Sequence, residues 1–209
     1  MKSRRNSITF TVTAALLTYP AEEFETELKE AGLLCQAIPN KKVRLSLLGT
    51  IDWLAGLGKN NARRIYVETF DFSKKRSLYL TYFTHGDTRE RGSALASLSA
   101  LYKETGLDLA EDELPDFLPA LLEFASISKK GESVLNGFRP ALEILSSELI
   151  KISSPYAKVA SAITHQLGPI PKHDRINIAK IQIKGPPTEL VGLQPYTVSG
   201  LDPERAGTR

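Results

Sequence analysis

The chain has 209 residues, a formal net charge of +3 at pH 7 and a single cysteine. This length suits one domain with a substantial core. Lysine and arginine are interleaved with acidic residues, so no nucleic-acid-binding surface is predicted. Cys35 alone excludes an internal disulfide and a cysteine-based zinc cluster, and this cysteine usage fits a reducing cytoplasm.

The N-terminal segment superficially resembles a signal peptide, because residues 2–5 are largely basic and residues 8–17 are largely apolar. Threonines interrupt the apolar stretch, however, and no clear cleavage site follows it. The apolar side chains of this segment recur at helical spacing, at Ile8, Val12, Ala15, Leu16 and Tyr19. We therefore expect an amphipathic helix of the folded domain that Pro20 ends. No apolar run is long enough to span a membrane, so membrane insertion is not expected.

Three more helices are predicted before residue 71 from apolar side chains at helical spacing. These side chains are Phe24, Leu28, Ala31 and Cys35 in the second helix, Leu47, Leu48, Ile51, Leu54 and Ala55 in the third, and Ile65, Tyr66, Thr69 and Phe70 in the fourth. Pro39 interrupts the chain after the second helix, and Gly56 and Gly58 mark the end of the third. Ser73 is expected to cap a fifth helix that carries Leu78, Tyr82 and Phe83.

Two helices with distinct N-terminal signals follow. Asp87 and Glu90 have the spacing of a capping box, in which each side chain accepts a hydrogen bond from the backbone N–H of the other residue. Behind them, one apolar stripe is formed by Ala94, Leu95, Leu98, Leu101 and Tyr102. Gly106 stands where a glycine would end this helix. Asp116 is predicted to cap the next helix, with Pro119 in its first turn.

The fold class predicted from these patterns is all-α. Asn136-Gly137 indicates a turn, Pro140 suits the start of a helix, and Ser154-Pro155 suits the start of a last helix that ends at Gly168. We expect a single-domain helical bundle of about eight or nine helices over residues 1–167. Six of the twelve prolines fall in residues 168–209, so this part is predicted to be a flexible or irregular tail with a short extended piece at residues 176–183.

The chain lacks the sequence patterns of common catalytic and cofactor sites. The histidines are His85, His165 and His173, and their spacing gives no metal-binding signature. There is no Gly-x-Ser-x-Gly elbow and no phosphate-binding glycine loop, and Cys35 lies on an apolar helical face. We therefore expect a protein that is not an enzyme, with no catalytic residues, no metal site and no cofactor.

Aromatic and acidic residues concentrate in the middle of the chain. Tyr66 and Phe70 lie one helical turn apart, as do Tyr79 and Phe83, so each pair can line a groove. Tyrosine hydroxyls would give such a groove polar edges, and nearby carboxylates would attract a basic peptide. The alternative is that the aromatic side chains fill the core, which is expected for Phe70, Phe83 and Phe124, and that the polar residues only cap helices and pair with one another.

Three segments of this region carry a resemblance: YVETFD at residues 66–71, SLYLTYFTHGDTRERG at 77–92 and ELPDFLPALLEF at 113–124. They resemble the signatures of the assembly chaperones of respiratory nitrate reductase (the NarJ type), within the TorD/DmsD superfamily of redox-enzyme maturation proteins. The resemblance extends over about residues 8–167, and its motifs are long and ungapped. It implies an all-helical cytoplasmic chaperone that binds the N-terminal segment of the apo nitrate reductase α subunit until the molybdenum cofactor is inserted.

The resemblance also implies where the peptide binds, in a groove beside Leu114, Pro115 and Asp116. This chain has Phe117 where many superfamily members have histidine. The candidate peptide-binding residues are Tyr66, Glu68, Phe70, Asp71, Tyr79, Tyr82, His85, Asp87, Arg89, Arg91, Leu114, Pro115, Asp116, Phe117 and Glu123. Weak self-association is a further option for a partner. Two other functions stay open: a chaperone for a different molybdoenzyme, and a helical nucleotide-dependent hydrolase.

Overall fold

The computed structural model describes residues 2–86, 88–110 and 113–184. These residues form eleven α-helices: α1 Lys2–Leu17, α2 Phe24–Cys35, α3 Lys41–Leu57, α4 Lys59–Phe70, α5 Thr81–His85, α6 Arg89–Glu104, α7 Leu118–Ile127, α8 Lys129–Gly137, α9 Arg139–Lys151, α10 Tyr156–Leu167 and α11 Lys172–Lys184. A 3-10 turn, Lys74–Arg76, lies between α4 and α5. The predicted all-α, single-domain fold is confirmed, and α8 and α11 are the helices beyond the eight or nine expected.

Helix α1 lies at the centre of the bundle and packs against α2, α7 and α10. Apolar and polar side chains are buried on several of its sides, Phe10 and Leu17 completely. The Thr13 hydroxyl can be buried because it donates back to the carbonyls of Thr9, at 2.9 Å, and Phe10, at 3.0 Å. The predicted apolar face is therefore partly wrong, since a helix enclosed by others has no single buried side. Tyr19, one of the predicted members, lies beyond the end of α1 at Leu17 and is 44% exposed.

Helices α2 to α4 follow the predicted pattern, except that Ala55 of the third stripe is exposed. The buried residues of α2 are the predicted stripe of Phe24, Leu28, Ala31 and Cys35. Asn40 begins α3, and its side-chain oxygen accepts hydrogen bonds from the backbone of Lys42, at 3.0 Å, and Val43, at 3.2 Å. Gly58, with a φ of 70°, joins α3 directly to α4. This positive φ favours glycine and turns the chain sharply between the two helices.

The predicted fifth helix from Ser73 does not form as one element. After the 3-10 turn, Leu78 and Leu80 instead pair with the segment that precedes α7. The carbonyl of Leu78 accepts from the Leu118 N–H at 2.8 Å, and the Leu80 N–H donates to the Asp116 carbonyl at 3.0 Å. These long-range bonds occupy backbone groups that a helix would need, so α5 begins only at Thr81.

The predicted N-cap of α6 is wrong, whereas its predicted C-terminal end is confirmed. Its N-cap is Thr88, not Asp87, and the Thr88 hydroxyl donates to the His85 carbonyl at 2.8 Å instead of capping α6. Asp87 itself lies outside the described residues. The predicted end at Gly106 is confirmed, because Gly106 has a φ of 71° and its N–H donates to the Lys103 carbonyl. The next N–H, that of residue 107, reaches back to residue 102, which completes a Schellman motif.

The start of α7 differs from the prediction. The N-cap is Phe117, and Asp116 does not cap this helix, because its carboxylate is bound elsewhere. Pro119 does lie in the first turn, as predicted. Helix α10 begins one residue later than expected, with Pro155 as N-cap, and the Ser154 hydroxyl accepts from the Tyr156 N–H at 3.3 Å.

Helix α11 occupies part of the predicted irregular tail and packs against α9. The expected extended piece at residues 176–183 is wrong, since Ile178 and Ile181 lie on α11 and pack against the core. Pro169 and Pro171 both precede this helix, and residues 172–184 contain no proline to interrupt it. Residues 185–209 lie outside the described part of the chain. The boundary between a domain 1–167 and a tail 168–209 stays a prediction.

Candidate functional site

A pocket of about 250 Å³ lies between the end of α4 and the start of α5. It is lined by Tyr66, Phe70, Asp71, Ser73, Lys74, Ser77, Leu78, Tyr79 and Tyr82. Five of the predicted binding residues therefore share one pocket: Tyr66, Phe70, Asp71, Tyr79 and Tyr82. We call it the aromatic pocket.

Two buried rings form the base of the aromatic pocket. The ring centroids of Tyr66 and Phe70 are 4.9 Å apart, and Phe70 lies equally close to Tyr156. The Tyr66 hydroxyl donates to the Leu17 carbonyl at 3.0 Å, and burial raises the pKa of this hydroxyl, which keeps it protonated. Both rings belong to the hydrophobic core as well as to the pocket, so they contribute to the stability of the fold.

The outer wall of the pocket is more polar. The Tyr79 ring packs against Phe117 with centroids 5.3 Å apart, and Lys74 Nζ lies 5.6 Å from the centre of the Tyr82 ring. The side chain of Asp71 is exposed at the edge. Burial raises the pKa of Tyr79, and the nearby carboxylate of Glu113 adds to this effect. The pocket thus combines apolar ring surface with hydroxyl groups and charges of both signs.

Phe72 is an aromatic residue next to the pocket lining in the chain, and it is 78% exposed. It stands in the chain between two lining residues, Asp71 and Ser73. An aromatic side chain this exposed beside a pocket provides apolar surface for a bound ligand. Phe72 is not among the predicted binding residues, although its place between polar neighbours at the end of α4 could have indicated exposure.

The Leu-Pro-Asp-Phe segment contributes mainly through buried contacts. Pro115 and Asp116 are buried, whereas Leu114 is half-exposed. Asp116 Oδ2 accepts hydrogen bonds from the Thr81 N–H, at 3.1 Å, and from the Thr81 hydroxyl. Arg91 Nη2 lies 3.6 Å from the same oxygen, and Arg91 Nε donates to the Thr81 hydroxyl oxygen at 3.1 Å. This cluster joins the start of α5, the first turns of α6 and the residue before Phe117.

Thr81 is the residue of this cluster that sequence reasoning missed. It is completely buried and lies 35 residues from Asp116 in the chain. Asp116 Oδ1 is also buried and has no hydrogen-bond partner among the described residues. No local pattern links a threonine at a helix start with a distant aspartate, so nothing in the sequence pointed to this pair.

The remaining predicted residues lie away from the pocket lining. Glu68 is exposed on α4 and pairs with Arg64 at 2.8 Å. His85 Nδ1 lies 2.7 Å from the Thr84 hydroxyl, and Arg89 is exposed in the first turn of α6. Glu123 is exposed on α7. The structure therefore brings the aromatic candidates together but distributes several charged ones over other surfaces.

Two features are absent from the described residues. Among the described residues, no three His, Cys, Asp or Glu side chains lie close enough together to hold a metal ion. Within the same part of the chain, no helix combines the length and apolar character required to cross a bilayer.

The fold and the pocket define an all-α protein with an aromatic pocket of side-chain dimensions. The chain belongs to the nitrate reductase delta subunit family, because the model of that family matches residues 22–145. It is 38% identical over 161 residues to a protein named "Probable nitrate reductase molybdenum cofactor assembly chaperone NarJ" from Bacillus subtilis, covering 76% of this chain and 88% of that protein. The NarJ chaperone of Escherichia coli K12 is 32% identical over 155 residues, which cover 72% of this chain and 65% of that protein.

A solved structure shows the same fold. It is a crystal structure described as that of a redox enzyme maturation protein from Archaeoglobus fulgidus. Its TM-score against this chain is 0.59, and the two sequences are 23% identical. The superposition covers 78% of this chain and 94% of the other. The family model and the NarJ relatives confirm the resemblance to NarJ-type chaperones that the motifs indicated.

Proposed function

We propose that this protein is a cytoplasmic assembly chaperone that binds the N-terminal segment of the apo nitrate reductase α subunit and holds it until the molybdenum cofactor is inserted. Family membership and the names of the relatives support the chaperone role. The proposal that the chain binds this segment rests on the contact between Tyr79 and Phe117. These two residues are joined by a backbone bridge and by packed rings. This contact brings the motifs of residues 77–92 and 113–124 to one side of the aromatic pocket.

The pocket suits one or two large side chains of a client helix. Rings supply apolar contact at low entropic cost, and tyrosine hydroxyls at the wall supply hydrogen-bonding groups. Asp71 lines the pocket, and the carboxylate of Glu113 acts electrostatically on Tyr79, so a basic residue of the client would be favoured beside Asp71. The positive charge of Lys74 lies elsewhere in the lining, over the Tyr82 ring. An amphipathic peptide helix with its apolar side in the pocket and a basic residue at the rim fits this arrangement.

The proposed action needs no catalysis by this chain. A chaperone that binds an open state of its client more tightly than the closed state raises the population of the open state. The size of that shift is limited by the difference between the two affinities. Binding a terminal segment of the client would keep that segment from docking onto its own enzyme before the cofactor enters.

The test is calorimetric titration of the full chain with a peptide from the N-terminus of the nitrate reductase α subunit. Asp71→Asn and Tyr82→Ala are expected to weaken binding by about tenfold each, which corresponds to about 1.4 kcal/mol. Asp52→Asn is the matched control, because Asp52 is exposed on α3 and does not line the pocket. Denaturant melts of each variant separate lost binding from lost folding.

Two outcomes would contradict the proposal. Parent-like affinity in both pocket variants would place the peptide elsewhere on the surface. Equal affinity for peptides from an unrelated molybdoenzyme would show that nitrate reductase is not the specific client. Raising the ionic strength should also slow association, because attraction between carboxylates and a basic peptide is screened by salt.

A further inference from the structure

A second recess lies between α3 and α10, and its lining shares no residue with the aromatic pocket. Its inner part has a volume of about 210 Å³ and is lined in part by Lys42 and Ser46 of α3 and by Lys158, Ser161 and His165 of α10. A wider hollow adjoins it, because Ser161 and His165 line both. Arg139, at the start of α9, lines this outer hollow.

The lining of this α3–α10 recess is cationic. Lys42, Lys158 and Arg139 contribute positive charges, and neither hollow has an aspartate or glutamate in its described lining. Among the described residues, Arg139 alone of these three has an acidic partner: its Nη2 lies 2.7 Å from Glu143 Oε1 on the same helix. Two lysine charges on facing helices therefore remain to attract an anion.

Arg139 provides a more specific signal. Arg139 is 3% exposed, and its Nε and Nη2 both contact the carboxylate of Glu143. Its Nη1 is buried and has no hydrogen-bond partner among the described residues. A buried guanidinium donor without an acceptor is unfavourable. Because Arg139 lines the adjoining hollow, a small shift of its side chain would let an anionic oxygen there accept from Nη1.

The hydrogen-bonding state of His165 can be assigned from its neighbour. The side-chain oxygen of Asn40 caps α3, so its amide nitrogen must be the atom that faces His165 Nε2 at 2.9 Å. The amide nitrogen donates, which makes Nε2 the acceptor and leaves the proton of the neutral ring on Nδ1. The residues that line the recess thus include this histidine, two serines with hydroxyl donors, Ser46 and Ser161, and two lysines.

We propose that α3 and α10 form a binding site for a small anion that carries a phosphate group. Lysines act on phosphate as compact point charges, and serine hydroxyls donate to its oxygen atoms. A recess of this volume holds one or two such groups, whereas an acidic peptide would need an extended cationic surface. This site is independent of the aromatic pocket and of the proposed client.

Calorimetric titration of the full chain with inorganic phosphate, pyrophosphate and glycerol phosphate tests the proposal. We expect at least one of these ligands to bind with a dissociation constant below about 1 mM. The double variant Lys42→Gln/Lys158→Gln should weaken this binding by at least about tenfold, since it removes both unpaired charges. The matched control is Lys29→Gln/Lys103→Gln, which removes two exposed lysines outside the recess and should leave binding unchanged.

Comparison of the three ligands distinguishes a site for phosphate esters from a site for the free phosphate ion. Tighter binding of glycerol phosphate than of inorganic phosphate would assign the site to phosphate esters, and the reverse would assign it to the free ion. The proposal is overturned if none of the three ligands binds, if the control variant weakens binding as much as the recess variant, or if an oligoglutamate peptide binds there in their place. Failure of the nitrate reductase peptide to bind would leave this result unaffected.

Discussion

Asp116 accepts hydrogen bonds from both the backbone N–H and the hydroxyl of Thr81, across 35 residues of sequence. The carboxylate is completely buried, and Arg91 completes the cluster from α6. Thr81 lies between two residues that line the aromatic pocket, Tyr79 and Tyr82. The Asp116–Thr81 pair therefore fixes the wall of the pocket relative to α7, and it connects the binding surface to the stability of the bundle.

Replacing Asp116 by alanine is expected to lower the free energy of unfolding by about 3 kcal/mol, the lower end for breaking a buried ion pair by removing one partner. The lower end applies because Arg91 keeps 23% of its side chain exposed and can be hydrated. Thr81→Val should cost about 1–2 kcal/mol, because the backbone N–H bond to Asp116 survives. Urea denaturation provides the measurement, with the exposed Asp52→Ala as control, and an unchanged midpoint in Asp116→Ala would refute the assignment.

Tyr66→Phe is expected to cost about 1 kcal/mol of stability, since the variant removes a buried hydrogen bond to the Leu17 carbonyl. The hydroxyl binds Leu17 at the end of α1, so peptide affinity should not change. The control is Tyr19→Phe, because Tyr19 is 44% exposed, whereas Tyr66 is buried. Thermal or denaturant melts measure the stability, and calorimetry with the peptide measures affinity. A variant that melts like the parent but loses peptide affinity would assign the Tyr66 hydroxyl to client binding.

Glu22 should titrate far below an ordinary glutamate. Lys59 Nζ donates to Glu22 Oε2 at 2.7 Å and Arg63 Nη2 to Oε1 at 2.9 Å, and these bonds lower the pKa of Glu22 to about 2. The folded pKa lies below the unfolded value of about 4.3, so this pairing contributes stability above that value. The contribution is lost as the pH falls from about 4.3 towards 2.

NMR titration of the Glu22 carboxyl measures this pKa directly. Lys59→Gln should raise the pKa, because it removes the stronger of the two interactions. Salt near 1 M should raise it as well, since the screening length falls to about 3 Å and the Glu22 side chain is well exposed. A pKa near the ordinary value at low salt would show that the two ion pairs do not persist in solution.

Much of the fold could be predicted from the sequence wherever a helix presents one face to the core. The stripe of α2 is such a case, and all four of its predicted members are buried. Helix α1 shows the limit of this approach: it is enclosed by α2, α7 and α10, so apolar periodicity carries little information about which side faces inward. The end of α6 at Gly106 was predictable because a positive φ at a helix end is a local requirement that glycine meets.

Residues 73–85 could not be predicted by the same reasoning. Their backbone is shaped by bonds to residues 116–118, and a local pattern does not report pairing over such a distance. The aromatic base of the pocket was predictable, since Tyr66 and Phe70 are one turn apart on α4. The role of Asp116 was misassigned to α7, because the same short side chain that caps a following helix can bind Thr81 instead.

Helix α8 packs closely against helix α7. Gly131, in the first turn of α8, is buried against α7. A methyl group added at this position would overlap the backbone carbonyl of Phe124 and lie 2.7 Å from the Ala125 nitrogen. These are backbone atoms in the last turn of α7, so they cannot move aside as a flexible side chain could. Helices α7 and α8 can pack this closely only because residue 131 has no Cβ.

Gly131→Ala is therefore expected to destabilise the protein by at least about 1–3 kcal/mol, the usual cost of overpacking a core. Gly137→Ala is the matched control, because it lies at the other end of α8 with no atom within 4 Å of an added Cβ. That variant should gain about 0.4–1 kcal/mol, since alanine restricts the unfolded chain more than glycine does. Urea denaturation of both variants gives the comparison. Opposite changes in the midpoint are expected, and a Gly131→Ala midpoint equal to that of the parent would mean that α7 and α8 are farther apart in solution than this packing requires.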